Sequence, residues 1–136
     1  MPIQVTIHDE RLGLGREAAS DDGPLVLEFL SERVTVREII RSRVYEEVQD
    51  YNRRRPERYR GLVEPTDAER TLNGVRPKAG REIDWQRQFE TACDAYERNG
   101  FLVLVNDRQA GGLDEEVTLG PGAEVTFVKL VPLVGG

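Results

Sequence analysis

Residues 35–51 leave this chain little freedom, because they encode a capped amphipathic helix with short strand-like runs on both sides. Thr35 can accept from the first helical turn, and Glu38, three residues on, completes a capping box. Val34 and Ile39 occupy the staple positions on either side of the cap. Val36, Ile39, Ile40, Val44, Val48 and Tyr51 then repeat at helical spacing, which predicts one helix of about four turns with a single apolar face. Such a face must be buried, and the neighbouring segments supply a sheet to bury it.

Ile3, Val5 and Ile7 alternate with polar residues, so residues 2–8 read as a half-buried strand. Residues 25–30 form a second strand, after a polar stretch with Gly13, Gly15 and the turn-forming Asp21-Asp22-Gly23-Pro24. Residues 101–105 are a continuous apolar run, typical of a central strand. A turn at Asn106-Asp107-Arg108-Gln109 follows, then a short strand near Val117-Thr118-Leu119. The turn Gly120-Pro121-Gly122 leads to a last strand from Glu124 to Val131. Strands grouped around one capped helix indicate an α+β domain.

Between the main helix and the third strand lies a long insertion, about residues 53–99. Thr66-Asp67-Ala68-Glu69 is a second capping-box pattern and Asn73-Gly74 a stop, which predicts a short helix there. Trp85, Phe89, Ala92, Cys93 and Tyr96 share one helical face, and Asn99-Gly100 ends that helix. Both helices flanking residues 54–80 keep their own apolar faces. Replacing that stretch with a short linker is therefore expected to leave the sheet folded, because closure entropy changes slowly with loop length.

The chain of 136 residues fits one domain, 1–136. Its net charge of −6 argues against nucleic-acid binding by the surface as a whole. One cysteine allows no internal disulfide, and no apolar run reaches the length of a membrane span. A cytoplasmic location is the expectation, with neither membrane nor nucleic acid as a partner.

The chain ends Pro132-Leu133-Val134-Gly135-Gly136. The order strand–strand–helix–strand–strand–strand, with an apolar last strand running into Gly135-Gly136, resembles the β-grasp proteins: ubiquitin, ubiquitin-like modifiers and bacterial sulfur carriers. Residues 102–109 look like the third strand and following turn of ubiquitin. Gly122-Ala123-Glu124-Val125-Thr126-Phe127 and the last five residues look more like the molybdopterin-synthase small subunit and the thiamine-pathway carrier. The resemblance covers residues 1–52 and 100–136. It implies a mixed sheet crossed by one main helix, with the last strand beside the first and a flexible tail at 132–136.

It also implies a function. An activating enzyme, using ATP and Mg, would adenylate the carboxylate of Gly136 and pass the chain to a sulfur nucleophile. The chain would then be conjugated to target proteins through a conjugating enzyme, or become a thiocarboxylate that donates sulfur in cofactor biosynthesis. A non-covalent adaptor is the third reading. In all three the chain is not itself an enzyme and binds no cofactor or metal. Glycine suits the last positions because a backbone without Cβ can enter a narrow channel. Pro132 favours release from the sheet, and residues 132–136 can span about 17 Å when extended. Pro132, Leu133 and Val134 would be read by an activating enzyme that prefers an apolar tail, since ubiquitin carries arginines where Pro132 and Val134 stand.

Two partner surfaces are candidates. Val125 and Phe127 point to one face of the last strand, Val128 and Leu130 to the other. If the main helix covers the first pair, then Leu102, Leu104, Val128 and Leu130 form an apolar docking face, unless Trp85 and Phe89 of the insertion cover it. Arg53, Arg54 and Arg55, with Arg58, Tyr59 and Arg60, form a basic cluster suited to an acidic partner protein. Cys93 reads as a buried, inert thiol. His8, the only histidine, reads as a strand-end surface residue, which leaves no material for a triad or a histidine metal site. Asp21-Asp22 and Asp114-Glu115-Glu116 read as solvated turns, and Gly13-Leu14-Gly15 lacks the context of a phosphate loop.

Overall fold

The computed structural model describes residues 2–12, 15–16, 25–54, 61–63, 68–71, 74–77 and 82–130. The alternating first segment forms β1 (Ile3–Arg11), longer than its pattern predicts. The two-residue β2 (Gly15–Arg16) turns back antiparallel on the end of β1, pairing Glu10 with Arg16. β3 (Leu25–Phe29) runs antiparallel to the first half of β1, on the same edge. A short β4 (Arg33–Thr35) then leads into α1 (Val36–Arg54).

The start of α1 is held as its sequence predicts. The Glu38 amide donates to Thr35 Oγ1 and the Thr35 amide to Glu38 Oε2, each at 3.1 Å. All six apolar positions of the helical repeat are buried, and so are Val34 and Ile39. With 19 residues the helix makes about five turns, one more than the pattern suggested.

In the insertion, β5 (Ala68–Thr71) and β6 (Gly74–Pro77) pair antiparallel, with Thr71 opposite Gly74. This corrects the expected short helix. An Asn-Gly pair between two extended runs is a hairpin signal as much as a helix stop, and here the ladder wins. The insertion is not dispensable either. Leu62 and Val63 are buried in the core. The Leu62 amide donates to Glu47 Oε2 at 2.9 Å, and Gln88 Nε2 donates to the Val63 carbonyl at 3.2 Å. A linker in place of residues 54–80 would remove two core side chains and strand a buried glutamine, so the expected tolerance is overturned.

α2 (Trp85–Glu97) is capped by Asp84, whose side chain accepts from the Gln86 amide. It ends in a Schellman arrangement: the Gly100 amide donates to Ala95 O and the Asn99 amide to Tyr96 O. Asn99, not the following glycine, takes the left-handed turn, at φ 60°. The Asn52 side chain both donates to and accepts from the Ile83 backbone, at 3.0 and 2.9 Å, and so fastens the end of α1 to the entrance of α2.

β7 (Phe101–Val105) and β8 (Arg108–Gln109) are joined through Asn106 and Asp107, both at positive φ, as a tight hairpin requires. β9 (Glu116–Thr118) pairs with β4 in a separate two-stranded ladder. β10 (Glu124–Lys129) lies parallel to β1 and antiparallel to β7. The main sheet is therefore mixed, in the order β2–β1–β10–β7–β8, with β3 also on β1. A parallel pair between first and last strands needs a long crossover, and α1 lies within that connection. The result is an α+β architecture whose core comprises Val5, Ile7, Leu27, Phe29, Phe101, Val103, Val125 and Phe127 together with the buried side of α1.

Candidate functional site

The last described residues fix the point from which the C-terminal segment departs. The Leu12 amide donates to Lys129 O at 3.0 Å, and the Leu130 amide to Gly100 O at 3.1 Å. The end of β10 is thus held from both sides, by the residue after β1 and by the residue before β7. Pro132, Leu133, Val134, Gly135 and Gly136 lie outside the described residues, as does Arg55.

Beneath the end of β10 sits a buried ion cluster. Arg43 occupies the apolar face of α1 and is 3% exposed. Its guanidinium donates through both terminal nitrogens to Asp9 of β1, Nη2 to Oδ2 at 2.9 Å, and through Nε to Glu47 one turn along α1. The Arg43 Cζ stands 4.5 Å from the Phe127 ring centroid, a cation over an aromatic face. Glu47 also takes the Leu62 amide, so one cation joins β1, α1, β10 and the insertion. Burial works against the charge on Arg43, but Glu47 and Asp9 outweigh it and the guanidinium stays protonated.

Asp9 follows the same balance. Burial pushes its carboxyl up, while the charge and paired hydrogen bonds of Arg43, helped by Lys129, pull it down further, to a net position below its ordinary 3.8. A carboxyl whose pKa is lower folded than unfolded adds stability above the unfolded value and loses it as pH falls through the folded value. The urea midpoint is therefore expected to fall more steeply below pH 3.8 in the native protein than in Asp9→Asn. Equal slopes for the two proteins in that range would remove Asp9 from the account.

This cluster escaped sequence reading. Arg43 sits at the helical spacing of Ile39, Ile40 and Val44, and its charge disguised a core position. The signals were Glu47 four residues on and Asp9 in an otherwise apolar strand face.

The sheet face away from α1 carries the other candidates. Leu102 stands opposite Val128, and Leu104 opposite Thr126. Val125 and Phe127 point toward α1 and are fully buried, as their alternation predicts. Val128 is only 7% exposed and Thr126 only 5%, while Leu102, Leu104 and Leu130 are half-buried. The expected apolar patch is thus reduced to three leucines. Trp85 does not cover them: its ring packs 5.2 Å from Tyr45 and under Arg41, on the α1 side. His8 is also inside the sheet, half-buried, with Nε2 3.6 Å from Glu124 Oε1, so its expected place as a strand-end surface residue is corrected.

Arg53 and Arg54 lie at the end of α1, where cations suit the helix dipole, and both pair with Asp50. The Cys93 thiol is buried and pushed up by that burial, which fits an inert core residue. Tyr96 donates to the Gly111 carbonyl and ties α2 to the segment after β8. Among the described residues no helix is long and apolar enough to cross a membrane. No group of three His, Cys, Asp or Glu side chains among them is placed to hold a metal ion.

Family models, curated proteins and solved structures were all compared with the chain, and none matches.

Proposed function

We propose that this chain is a ubiquitin-like β-grasp protein and that the carboxylate of Gly136 is the group through which it acts. An activating enzyme adenylates that carboxylate with ATP and Mg, transfers it to a thiol, and a conjugating enzyme passes it to a target protein. The observation that carries the reading is the placement of β10. The last strand lies parallel to the first at the centre of a mixed sheet, beside α1, and its end is held on both sides at Leu12 and Gly100. A domain anchored this way can present a following segment at a defined point while its own body stays outside the partner enzyme. Pro132, Leu133 and Val134 supply an apolar sequence to be recognised, and Gly135 and Gly136 the slim end to be threaded.

The chain supplies the substrate carboxylate and the recognition surface, and the chemistry belongs to the partner enzymes. The tail also suits a sulfur carrier, and one measurement separates the two. The C-terminal peptide of the protein recovered from its native cells should be found joined to another protein, through an amide or an ester. A peptide about 16 Da heavier than the free acid, from sulfur in place of one oxygen, would replace conjugation with sulfur transfer.

A further inference from the structure

The inner edge of β3 is paired with β1 from Ile3↔Phe29 to Ile7↔Leu25. The Thr6 amide donates to Ala123 O, so Thr6 turns its backbone groups toward β10 and away from β3. In an antiparallel pair the opposite residue then turns its own groups outward. Val26 stands opposite Thr6, and Glu28 repeats the geometry two residues on. Their N–H and C=O groups form the outer edge of β3, and among the described residues no strand pairs with it. The edge carries apolar side chains in water: Val26 is 46% exposed, and Leu30, just beyond, 94%. Unpaired edges of this kind are templates for a further strand.

Alongside runs a groove of about 710 Å³ between β3 and α1, lined by Val26 and Glu28 on the sheet side and by Arg41, Ser42, Tyr45 and Glu46 on the helix side. Tyr45 is 40% exposed yet held, with its ring against Trp85, over which the Arg41 guanidinium lies at 5.3 Å. A fixed aromatic shelf with an arginine stacked beside it is the composition of interface hot spots. The groove carries two carboxylates against one cation. Arg41, stacked on the indole, keeps its charge but pairs with neither, Glu28 meets only the Gln4 amide at 3.4 Å, and Glu46 has no ion-pair partner among the described residues.

We infer that this groove binds an extended, basic segment of another protein, added as a strand to the outer edge of β3. Its ladder partners are the backbone groups of Val26 and Glu28. Side chains alternate across an added strand, so those on the helix side meet Tyr45 and Glu46 and those on the far side meet Val26 and Glu28. Each side offers one apolar and one acidic contact. The matching segment therefore has two adjacent apolar residues next to two adjacent basic ones. The inference is independent of the chemistry at Gly136.

The probe is a capped hexapeptide of two valines flanked on each side by two lysines, titrated into the isotope-labelled full chain and followed by NMR. Progressive shifts are expected at the Val26 and Glu28 amides and at the Trp85 indole, with affinity at least tenfold above that of the same peptide with glutamates for lysines. Glu28→Lys, an exposed substitution, should remove or invert that preference. Val26→Pro deletes an outward N–H without touching the β1 ladder and should weaken binding at least tenfold. Shifts elsewhere, or equal binding of both peptides, would overturn the inference. So would concentration-dependent broadening of the same amides without peptide, which would make a second copy of the chain the occupant.

Discussion

Arg43→Ala is expected to destabilise the fold by about 3–5 kcal/mol, because it removes a buried cation and leaves the half-buried carboxylates of Asp9 and Glu47 facing each other without it. Small domains have only about 5–15 kcal/mol in total, so a loss of this size is visible in any denaturant titration. Asp9 loses a paired hydrogen bond, Glu47 loses the guanidinium while keeping its bond to the Leu62 amide, and Phe127 loses the cation over its ring. The damage should spread along those bonds, with hydrogen-exchange protection of the Leu62 amide falling alongside global stability. The charge-free combination Arg43→Met, Asp9→Asn and Glu47→Gln should recover most of the loss, since an ion cluster replaced as a whole leaves no bare charge behind. A cost below about 1 kcal/mol for Arg43→Ala, the value of an exposed ion pair, would mean that the cluster is solvated.

The parts of the fold that were legible are those written in local contacts. The Thr35–Glu38 capping box and the six apolar positions of α1 lie within one helix and need no knowledge of what packs on it. The same holds for the Asn99 end of α2 and for β7, whose apolar run suits a strand between two others. Alternation in the last strand correctly sent Val125 and Phe127 toward the helix.

Features that depend on distant partners were missed. β4 is three residues long, too short for a period, and exists only because it finds β9, the short strand expected near Val117, across 80 residues of chain. The Asn73-Gly74 pair carries two meanings, and the strand partner that selects one is not a local property. Leu62 and Val63 sit in a stretch rich in proline and arginine, so no periodicity marked them as core. Alternation puts Val128 on the outer face of the sheet but leaves open whether that face is covered, and at 7% exposure Val128 is buried. At the candidate site, composition indicated the tail and its glycines. The clamp at Leu12 and Gly100, and the groove beside β3, required the folded chain.

The central claim rests on the carboxylate of Gly136. Removing Gly136 shortens the reach by about 3.5 Å, and Gly135→Arg puts a bulky side chain where only backbone is proposed to pass. Neither change touches the described core, so both variants should keep the thermal midpoint of the parent chain within about 2 °C, the shift that about ±0.5 kcal/mol produces in a domain of this size. The direct measurement is ATP–pyrophosphate exchange with the cognate activating enzyme, which reports adenylation of the carboxylate and nothing later. The parent chain should support exchange, and both variants should reduce it to the rate seen without any chain. Exchange by the shortened chain equal to that of the parent would contradict the account, and the Gly-Gly ending would then have no part in what the protein does.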